Sequence, residues 1–306
     1  MGSIAILGPG GVGGFLAAAL ARAGEPVTVV AREATAELIS RSGLTVESRR
    51  LGSFSARPSA VPVLSQPAPV LFIATKAVGL EQSLARIEAE PELVVPLLNG
   101  LDHMGLLRDW FGPERVAAGT IRIESDRPEP ARIVQSSPFL RIDLAAEHVA
   151  LRPALERLAG VLEHAEVPAH VCSSEAQILW SKLVRLNALA LTTSATDRPV
   201  GFVRADPEWR PALRGCIEEA AAVAQADGAE IDPVARLAEL DDAHPELGSS
   251  MQRDIAAGRE PELDAIAGSV LRSARRHQIE CPTVARLTAM VARRAGVAVP
   301  AEAESL

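Results

Sequence analysis

A glycine-rich turn close to the N-terminus constrains the fold more than any other feature of this chain. Its six residues have the spacing G-x-G-x-x-G and read Gly8-Pro9-Gly10-Gly11-Val12-Gly13. An apolar run precedes the turn and an alanine-rich stretch follows it, which indicates a strand, a tight turn and a helix. In that context Gly8 permits the turn, Gly10 lets the backbone approach a pyrophosphate, and Gly13 allows close packing of helix on strand. The helix start would hold the diphosphate of a dinucleotide; a βα turn without a ligand is the alternative.

The residue at the end of the second predicted strand indicates which dinucleotide the turn would hold. An NAD site places Asp or Glu about 20 residues past the motif, where it accepts hydrogen bonds from the ribose 2′-OH. Here Arg32 stands at that point, and the first acid is Glu33. A guanidinium favours a 2′-phosphate through a bidentate, charge-assisted contact. We therefore predict NADP(H) as the cofactor, with a solvated surface charge as the alternative for Arg32 and a helix N-terminal acid as the reading of Glu33.

The first half of the chain alternates short β-rich runs with helical stretches, which predicts a doubly wound parallel sheet of the Rossmann type. The runs are almost continuously apolar, as is typical of strands covered on both faces. The predicted strands are Ser3–Leu7, Pro26–Val30, Leu44–Glu47, Val70–Thr75 and Leu93–Leu98. The predicted helices are Val12–Ala23, Ala34–Ser40 and Gly79–Ala89. A β-meander over Arg115–Ile123, Ala131–Gln135 and Phe139–Leu144 would close this domain.

The second half changes character and becomes helical and alanine-rich from Ser173 onward. Ser174 with Gln177 forms a capping-box pattern that predicts the start of a long helix through about Thr193. Further predicted helices, several of them with a proline near the start, are Pro211–Asp227, Pro233–Ala238, Gly248–Ala257, Pro261–His277 and Pro282–Arg294. We thus expect an α/β fold with a cofactor-binding domain over residues 1–170 and an all-α domain over residues 171–306.

Composition excludes several classes of protein. The chain has 306 residues, which suggests two domains, and its net charge of −8 argues against a general nucleic-acid binder. No apolar run reaches the ~18 residues of a membrane span, and the N-terminus lacks a signal-peptide pattern, so we expect a cytoplasmic protein. The cysteines (Cys172, Cys216 and Cys281) and the histidines show no zinc-site spacing, so we expect no metal.

Five further segments occur in a characteristic order along the chain. They are Ala74-Thr75-Lys76-Ala77, Leu98-Asn99-Gly100-Leu101, Leu179-Trp180-Ser181-Lys182-Leu183, Ser249-Ser250-Met251-Gln252-Arg253-Asp254, and Gly258-Arg259 with Glu262-Leu263-Asp264. In this order they resemble the ketopantoate reductase (2-dehydropantoate 2-reductase) family of pantothenate biosynthesis, and the similarity runs over nearly the whole chain. The block S-S-M-x-x-D-x-x-x-G-R-x-x-E-L-D is its most specific part.

The resemblance implies an oxidoreductase that uses NADPH to reduce the ketone of ketopantoate to the 2-hydroxy acid pantoate. It also implies a C-terminal domain like that of 6-phosphogluconate dehydrogenase. By the same resemblance Lys182 is the general acid, and Glu262 holds and tunes it. Ser250 would bind the substrate carboxylate. Asn99 and Lys76 would lie beside the substrate and the nicotinamide half of the cofactor.

Elementary chemistry supports a lysine in this role. Hydride transfer to a ketone carbon leaves an alkoxide, which must gain a proton as its charge develops. A partly buried ammonium can donate that proton, and a nearby carboxylate keeps it oriented. Lys182 lies in an otherwise apolar helical stretch, which suits partial burial. The alternatives are a lysine at the edge of an amphipathic helix, a helix N-terminal acid for Glu262 and a helix cap for Ser250.

The substrate positions depart from the family pattern. Many family members have asparagine one and two helical turns after the lysine, where this chain has Leu186 and Ala190. Its Asn187 is five residues from Lys182, hence about 140° round the helix at about 100° per residue. Only a π-bulge would bring it to the lysine's face. Leu247 likewise stands where asparagine is frequent, so another 2-oxo acid stays open as the substrate.

Other classes would use these residues differently. A non-catalytic NADP-binding redox sensor would need neither Lys182 nor Glu262. A β-hydroxyacid or 6-phosphogluconate dehydrogenase usually carries K-x-x-x-N, which this chain lacks, and a methyltransferase would make poor use of Arg32. We expect a small 2-oxo acid as the partner, neither nucleic acid nor membrane, and leave a homodimer open.

Overall fold

The computed structural model of the chain describes residues 2–304, with most strands in the first half and most helices in the second. The strands are β1 (Ile4–Leu7), β2 (Val27–Val30), β3 (Leu44–Ser48), β4 (Gly52–Ala56), β5 (Ser59–Val61), β6 (Leu71–Ile73), β7 (Val94–Pro96), β8 (Ala118–Arg122), β9 (Ser125–Glu129), β10 (Arg132–Gln135), β11 (Arg141–Ala145) and β12 (Ala169–Val171). The helices are α1 (Gly11–Arg22), α2 (Glu33–Ser42), α3 (Leu80–Leu84), α4 (His103–Phe111), α5 (Arg152–His164), α6 (Glu175–Thr196), α7 (Val200–Ala205), α8 (Trp209–Ala226), α9 (Pro233–Asp241), α10 (Ser250–Ala256), α11 (Ser269–His277), α12 (Pro282–Ala295) and α13 (Ala301–Glu304). A 3₁₀ turn covers Val149–Leu151, and a π-helical segment covers Asp264–Gly268.

The main sheet is parallel throughout and has the strand order β5-β2-β1-β6-β7. Three of its strands, β1, β6 and β7, are buried along their whole length, which is why they are continuously apolar in sequence. The chain builds outward from β1 to β2 and β5, then returns to the other side of β1 to form β6 and β7. This reversal creates a switch point between β1 and β6, where doubly wound sheets bind ligands. The predicted α/β fold class is confirmed.

Helix α1 is sandwiched between two layers of strands. It contacts β1 and β2 of the main sheet and also β3, β4, β9 and β10, which form a second sheet of order β4-β3-β10-β9. The stretch Phe15–Leu20 is therefore fully buried. Small residues let the second sheet approach closely: a Cβ on Gly14 would lie 2.5 Å from Cδ1 of Ile133. An alanine- and glycine-rich helix is what packing on both faces requires.

The sequence prediction of the third strand in the main sheet was wrong. The run Leu44–Glu47 does form a strand, β3, but β3 belongs to the second sheet, and β5 takes the place beside β2. The burial of β3 explains the difference: Leu44 and Val46 are buried while Thr45 and Glu47 are exposed. This alternation is typical of a strand with one solvated face, and β3 indeed pairs antiparallel with β4.

The predicted β-meander was also wrong. Strand β8 pairs with β11 and β11 with β12, whereas β9 and β10 join the second sheet. The parallel pairing of β10 with β3 covers the outer face of α1, which a local meander would leave exposed. The predicted helix Gly79–Ala89 is shorter in the structure, where it forms α3, and α4, α5, α7 and α13 were not predicted.

The described residues form two compact units. The first unit contains the residues up to Leu98 and those from His103 to Ile178. The second unit contains Asn99–Asp102 and the residues from Leu179 onward. The boundary between the two units along α6, at residues 178/179, falls later than the domain boundary expected at residue 170. The reason is that the first turn of α6 is held by the first unit.

Glu175 anchors this first turn of α6. Its carboxylate accepts hydrogen bonds from the Arg108 guanidinium and, at 2.9 Å, from the backbone N–H of Glu147. The predicted cap of α6 is confirmed, because Ser174 Oγ accepts the Gln177 N–H at 3.1 Å. In the second unit, α8 contacts α7, α9, α11 and α12. None of the helices within residues 2–304 combines the length and apolar character needed to cross a bilayer.

Candidate active site

The turn between β1 and α1 leaves no room for a Cβ at the first and third glycines of the motif. Gly8 has a φ of +91°, and a Cβ there would lie 2.8 Å from Thr75 Cγ2. A Cβ on Gly13 would lie 2.2 Å from the carbonyl oxygen of Gly8. The turn is closed by hydrogen bonds from Gly10 N to Gly8 O and from Gly14 N to Gly10 O, at 2.9 and 2.8 Å. The first and third glycines of the motif therefore determine the shape of the turn.

The middle glycine has a different environment. Apart from neighbouring backbone, no heavy atom within residues 2–304 lies within 4 Å of the position that a Cβ on Gly10 would take. Gly10 is the N-cap of α1, without a side-chain cap, and the described first turn of α1 contains no acidic residue. An open helix N-terminus of this kind suits an anion such as a diphosphate. The residues present fit the dinucleotide that the motif indicates.

Strand β9 contacts the other side of the turn through Ser125 and Arg127. A Cβ on Gly11 would lie 2.0 Å from the carbonyl oxygen of Ser125, and Ser125 Oγ donates to Gly11 O at 2.8 Å. Arg127 Nη1 donates to Pro9 O at 3.2 Å. These residues are more than a hundred positions from the turn, so no local pattern could indicate the contact.

The two predicted cofactor-binding cations of the first unit follow strands of the main sheet. Arg32 comes two residues after β2, is exposed and is the N-cap of α2, so that Glu33 is the first residue of that helix. Glu33 is thus placed to interact with the helix dipole. Lys76 is exposed and comes three residues after β6. Because β1, β2 and β6 are parallel, Arg32, Lys76 and the glycine turn lie at the same edge of the sheet.

Within the helical unit, Asn99 and Glu262 are joined by a hydrogen bond. Asn99 Nδ2 donates to Glu262 Oε2 at 3.0 Å, although the two residues are 163 positions apart. Glu262 is buried and Asn99 half-buried. The next residue, Gly100, has a φ of +84°, and a Cβ on it would lie 2.0 Å from the carbonyl oxygen of Ala265. The backbone of the Asn99 segment is therefore pressed directly against the chain that follows Glu262.

Lys182 lies in the middle of α6 and is half-buried, with Leu183 beside it in the core. Trp180, two residues earlier, is almost fully buried, and its Nε1 donates to Asp227 Oδ2 at 3.1 Å. Burial alone would raise the pKa of Asp227. Its hydrogen bonds with Ser273 and His277, the charge of Arg276 and the Trp180 bond instead hold that pKa below its ordinary value. An ionised Asp227 thus anchors the part of α6 that carries Lys182.

The residues one helical turn and more beyond Lys182 are apolar or turned away from it. Leu186 is half-buried and Ala190 fully buried. The α-helix is continuous from Glu175 to Thr196, so Asn187 stays about 140° from Lys182. Asn187 is fully buried, and neither atom of its amide group has a hydrogen-bonding partner among the described residues. It does not replace the asparagine that is frequent one turn after the lysine.

The two serines before Met251 have separate positions. Ser249 is the N-cap of α10: its Oγ accepts the Gln252 N–H at 3.1 Å and bonds to Thr193 Oγ1 at 2.9 Å. Ser250 is the first residue of α10 and is exposed. The capping alternative therefore applies to Ser249, and the Ser250 hydroxyl is not the cap. Leu247, just upstream, is half-buried.

The cysteines are poor candidates for chemistry. Burial raises the pKa of Cys216, and it raises the pKa of Cys281 to about 12, with the charge of Glu219 acting in the same direction. The pKa of Cys172 is also raised, first by burial and then by Asp143. Thiols in this state are not nucleophiles near neutral pH. Across residues 2–304, no group of three or more His, Cys, Asp or Glu side chains is arranged to hold a metal ion.

Comparison with known proteins places two family matches on the chain. The family described as "Ketopantoate reductase PanE/ApbA" matches residues 4–145, and "Ketopantoate reductase PanE/ApbA C terminal" matches residues 176–295. The first contains the glycine turn, Arg32, Lys76 and Asn99. The second contains Lys182, Ser250 and Glu262.

Individual relatives cover almost the full length. The 2-dehydropantoate 2-reductase of Caulobacter vibrioides is 29% identical over 300 residues, which are 95% of this chain and 98% of that protein. The crystal structure of 2-dehydropantoate 2-reductase from Geobacter metallireducens has a TM-score of 0.88 at 27% identity and covers 95% and 99% of the two chains. A ternary structure of D-mandelate dehydrogenase with NADH and anilino(oxo)acetate has a TM-score of 0.87 at 20% identity and covers 96% and 98%. The last shows likeness of fold alone.

Proposed function

The chain belongs to the ketopantoate reductase family, and we propose that it reduces 2-dehydropantoate to pantoate with NADPH. The observation that carries the proposal is the hydrogen bond between Asn99 and Glu262. These two residues come from separate motifs of the family, and the fold of the helical unit brings them together. A protein that only bound the cofactor would not need this contact.

The first unit supports the cofactor half of the proposal. The turn Gly8–Gly13 and the N-terminus of α1 would hold the diphosphate, and Arg32 would pair with the 2′-phosphate. Lys76 would act at the same edge of the sheet, towards the nicotinamide half. The bound cofactor supplies a hydride. Side chains of this chain would bind and orient the substrate and pass a proton to it.

Lys182 is the proposed general acid. When the ketone carbon receives a hydride, a C–H bond forms and the carbonyl oxygen becomes an alkoxide. The Lys182 ammonium donates one proton to that oxygen, giving the hydroxyl of the product and a neutral amine that regains a proton from water. Lys182 is half-buried in an apolar part of α6, which holds its ammonium in place for this donation.

Glu262 and Ser250 have the supporting roles. Glu262 orients Lys182, and the amide of Asn99 restrains one oxygen of that carboxylate. The exposed hydroxyl of Ser250 donates to the carboxylate of the substrate. Polar groups held in fixed positions are what precise placement of a small substrate requires.

A second candidate function is the reduction of a 2-oxo acid with a larger apolar side chain. The observation that favours it is the half-buried Leu186, one helical turn after Lys182, where a polar contact is frequent in the family. An apolar surface there would contact a hydrocarbon or aryl group rather than the hydroxyl of ketopantoate. The D-mandelate dehydrogenase of similar fold is described with NADH and an anilino-substituted oxo acid, so NADH belongs in the test as well.

The experiment is a panel of 2-oxo acids with NADPH and with NADH, followed by loss of absorbance at 340 nm. We expect ketopantoate with NADPH to give the highest kcat/KM. We also expect Lys182→Ala to lower kcat by about two to four orders of magnitude, the usual contribution of a positioned acid. Selective use of an aryl or branched apolar oxo acid establishes the second candidate. Tight binding of NADPH without turnover of any oxo acid leaves only the redox-sensor alternative.

A further inference from the structure

The segment Asn99–Asp102 is attached to the helical unit at three successive points. Asn99 bonds to Glu262, the backbone of Gly100 lies against that of Ala265, and Asp102 bonds to Arg272. Through these contacts the segment belongs to the second compact unit, although residues on both sides of it belong to the first. A segment this short has no core of its own. These three contacts must determine its position.

Arg272, on α11, makes the contact at the far end of the segment. Its guanidinium donates to Asp102 Oδ2 through Nη2 at 2.7 Å and through Nε at 3.2 Å. The same group donates through Nη1 to Asp264 Oδ1 at 2.7 Å. One planar fork thus joins Asp102, on the Asn99 segment, to Asp264, two residues after Glu262.

The chain at Asp264 has an unusual conformation that Arg272 also supports. The residues Asp264–Gly268 form a π-helical turn, in which the N–H of Ser269 bonds to the carbonyl of Asp264. Arg272 Nη2 donates to that same carbonyl at 3.0 Å. A π turn contains one residue more than an α turn, so it changes the direction in which the preceding residues face. The orientation of Glu262 relative to α11 therefore depends on this turn.

Gly268 leaves the space in which the ion pair forms. A Cβ on Gly268 would lie 2.5 Å from Asp264 Oδ1 and 2.9 Å from Arg272 Nη1. The glycine, the π turn and the arginine are thus adapted to one another. Their combined effect is to hold Asp264, and with it the chain that carries Glu262, against the Asn99 segment.

We propose that Arg272, together with Asp102 and Asp264, positions Asn99 and Glu262 so that their side chains stay at hydrogen-bonding distance. This residue cluster, the Arg272 clamp, would act through Asn99 and Glu262 and not on the reacting atoms. The proposal rests on the proposed function only for the roles of Asn99 and Glu262. The carboxylates of Asp102 and Asp264 are 46% and 68% exposed, so each ion pair by itself contributes little to folding stability. Loss of the clamp therefore alters geometry more than fold.

The test uses conservative variants of the full-length protein. Asp102→Asn keeps the shape of the side chain and leaves the Arg272–Asp264 contacts in place. Arg272→Lys keeps the charge but loses the planar fork. Arg275→Ala is the matched control, because Arg275 is exposed on the same helix and lies outside the clamp. Each variant is measured for kcat, KM, NADPH dissociation constant and hydrogen exchange of the amides at 99–102.

We expect Asp102→Asn and Arg272→Lys to increase hydrogen exchange at 99–102 about tenfold. We also expect both variants to lower kcat by about 10- to 100-fold, because misplacing a catalytic group by ~1 Å reduces the rate by that much. NADPH affinity should change less than about threefold, because the glycine turn and Arg32 lie outside the clamp. Arg275→Ala should resemble the unaltered protein. Unchanged exchange at 99–102 in Asp102→Asn overturns the proposal, as does an equal effect of Arg275→Ala. If the unaltered protein reduces no 2-oxo acid, the proposed function fails, and the exchange measurement alone decides the clamp.

Discussion

The side-chain amide of Asn99 donates to one carboxylate oxygen of Glu262 at 3.0 Å, within the helical unit. Glu262 is buried, so its carboxylate depends on such donors. The relationship can be tested by exchanging the amide and the carboxylate between the two positions. In Asn99→Asp, two carboxylates face each other at this distance, and we expect kcat to fall at least 100-fold. In Asn99→Asp with Glu262→Gln, the amide is restored on the opposite side.

The double variant separates geometry from charge. It should regain the thermal stability that Asn99→Asp loses, because one amide again meets one carboxylate. It should regain less of the activity, because the carboxylate has moved away from the place where it would orient Lys182. Full recovery of kcat in the double variant would show that either residue can carry the negative charge. Thermal unfolding and steady-state kinetics provide both readouts.

The glycine turn allows a matched pair of substitutions. Gly13→Ala places a Cβ 2.2 Å from Gly8 O, so we expect a loss of about 1–3 kcal/mol in the free energy of unfolding, as for other overpacked sites. Gly10→Ala meets no such obstacle, and we expect it to fold normally. Its methyl group would nevertheless occupy the open face of the turn and weaken NADPH binding by at least tenfold. Equal effects of the two variants on stability would contradict this division of roles.

Arg32 can be replaced without disturbing α2. It is the N-cap of that helix and has no side-chain cap bond, whereas aspartate is a favourable N-cap residue. We expect Arg32→Asp to weaken NADPH binding about 10- to 100-fold, the value of one charge-assisted contact, and to leave NADH binding unchanged or stronger. Fluorescence titration with both cofactors measures this, with Arg41→Ala, at the other end of α2, as the control. Unaltered NADPH affinity would remove the basis for NADP preference.

Asn187 offers a prediction about stability alone. Its amide is fully buried, with no hydrogen-bonding partner among residues 2–304, which costs free energy relative to an apolar group of similar shape. We expect Asn187→Leu to raise the free energy of unfolding by about 1 kcal/mol, and to leave kcat within about twofold because the residue faces away from Lys182. Denaturant unfolding measures the change. A clear loss of stability would indicate that the amide is hydrogen-bonded, for example to buried water.

Several elements could be predicted because their determinants are local. The turn Gly8–Gly13 has its constraint within six residues, and the central strands are apolar throughout because helices and strands cover both their faces. The cap of α6 depends on a side chain and a backbone N–H three residues apart. In contrast, β5 contains few large apolar residues and becomes a sheet strand only because β2 offers it an edge. Likewise, β3 pairs with β10, which is more than eighty residues away in the chain, so its sheet could not be predicted from its own residues.

The amino-acid sequence is sufficient to predict a glycine-rich strand–turn–helix, a predominantly parallel α/β half and a helical half, because glycine geometry and hydrophobic periodicity act over a few residues. The motifs also named the family. Three-dimensional packing is needed to see that Ser125 and Arg127 support the turn, that Asn99 meets Glu262, and that Asp102 meets Arg272. These contacts join residues far apart in the chain. They exist because packing of the sheets and helices leaves one position for each segment, which no local pattern encodes.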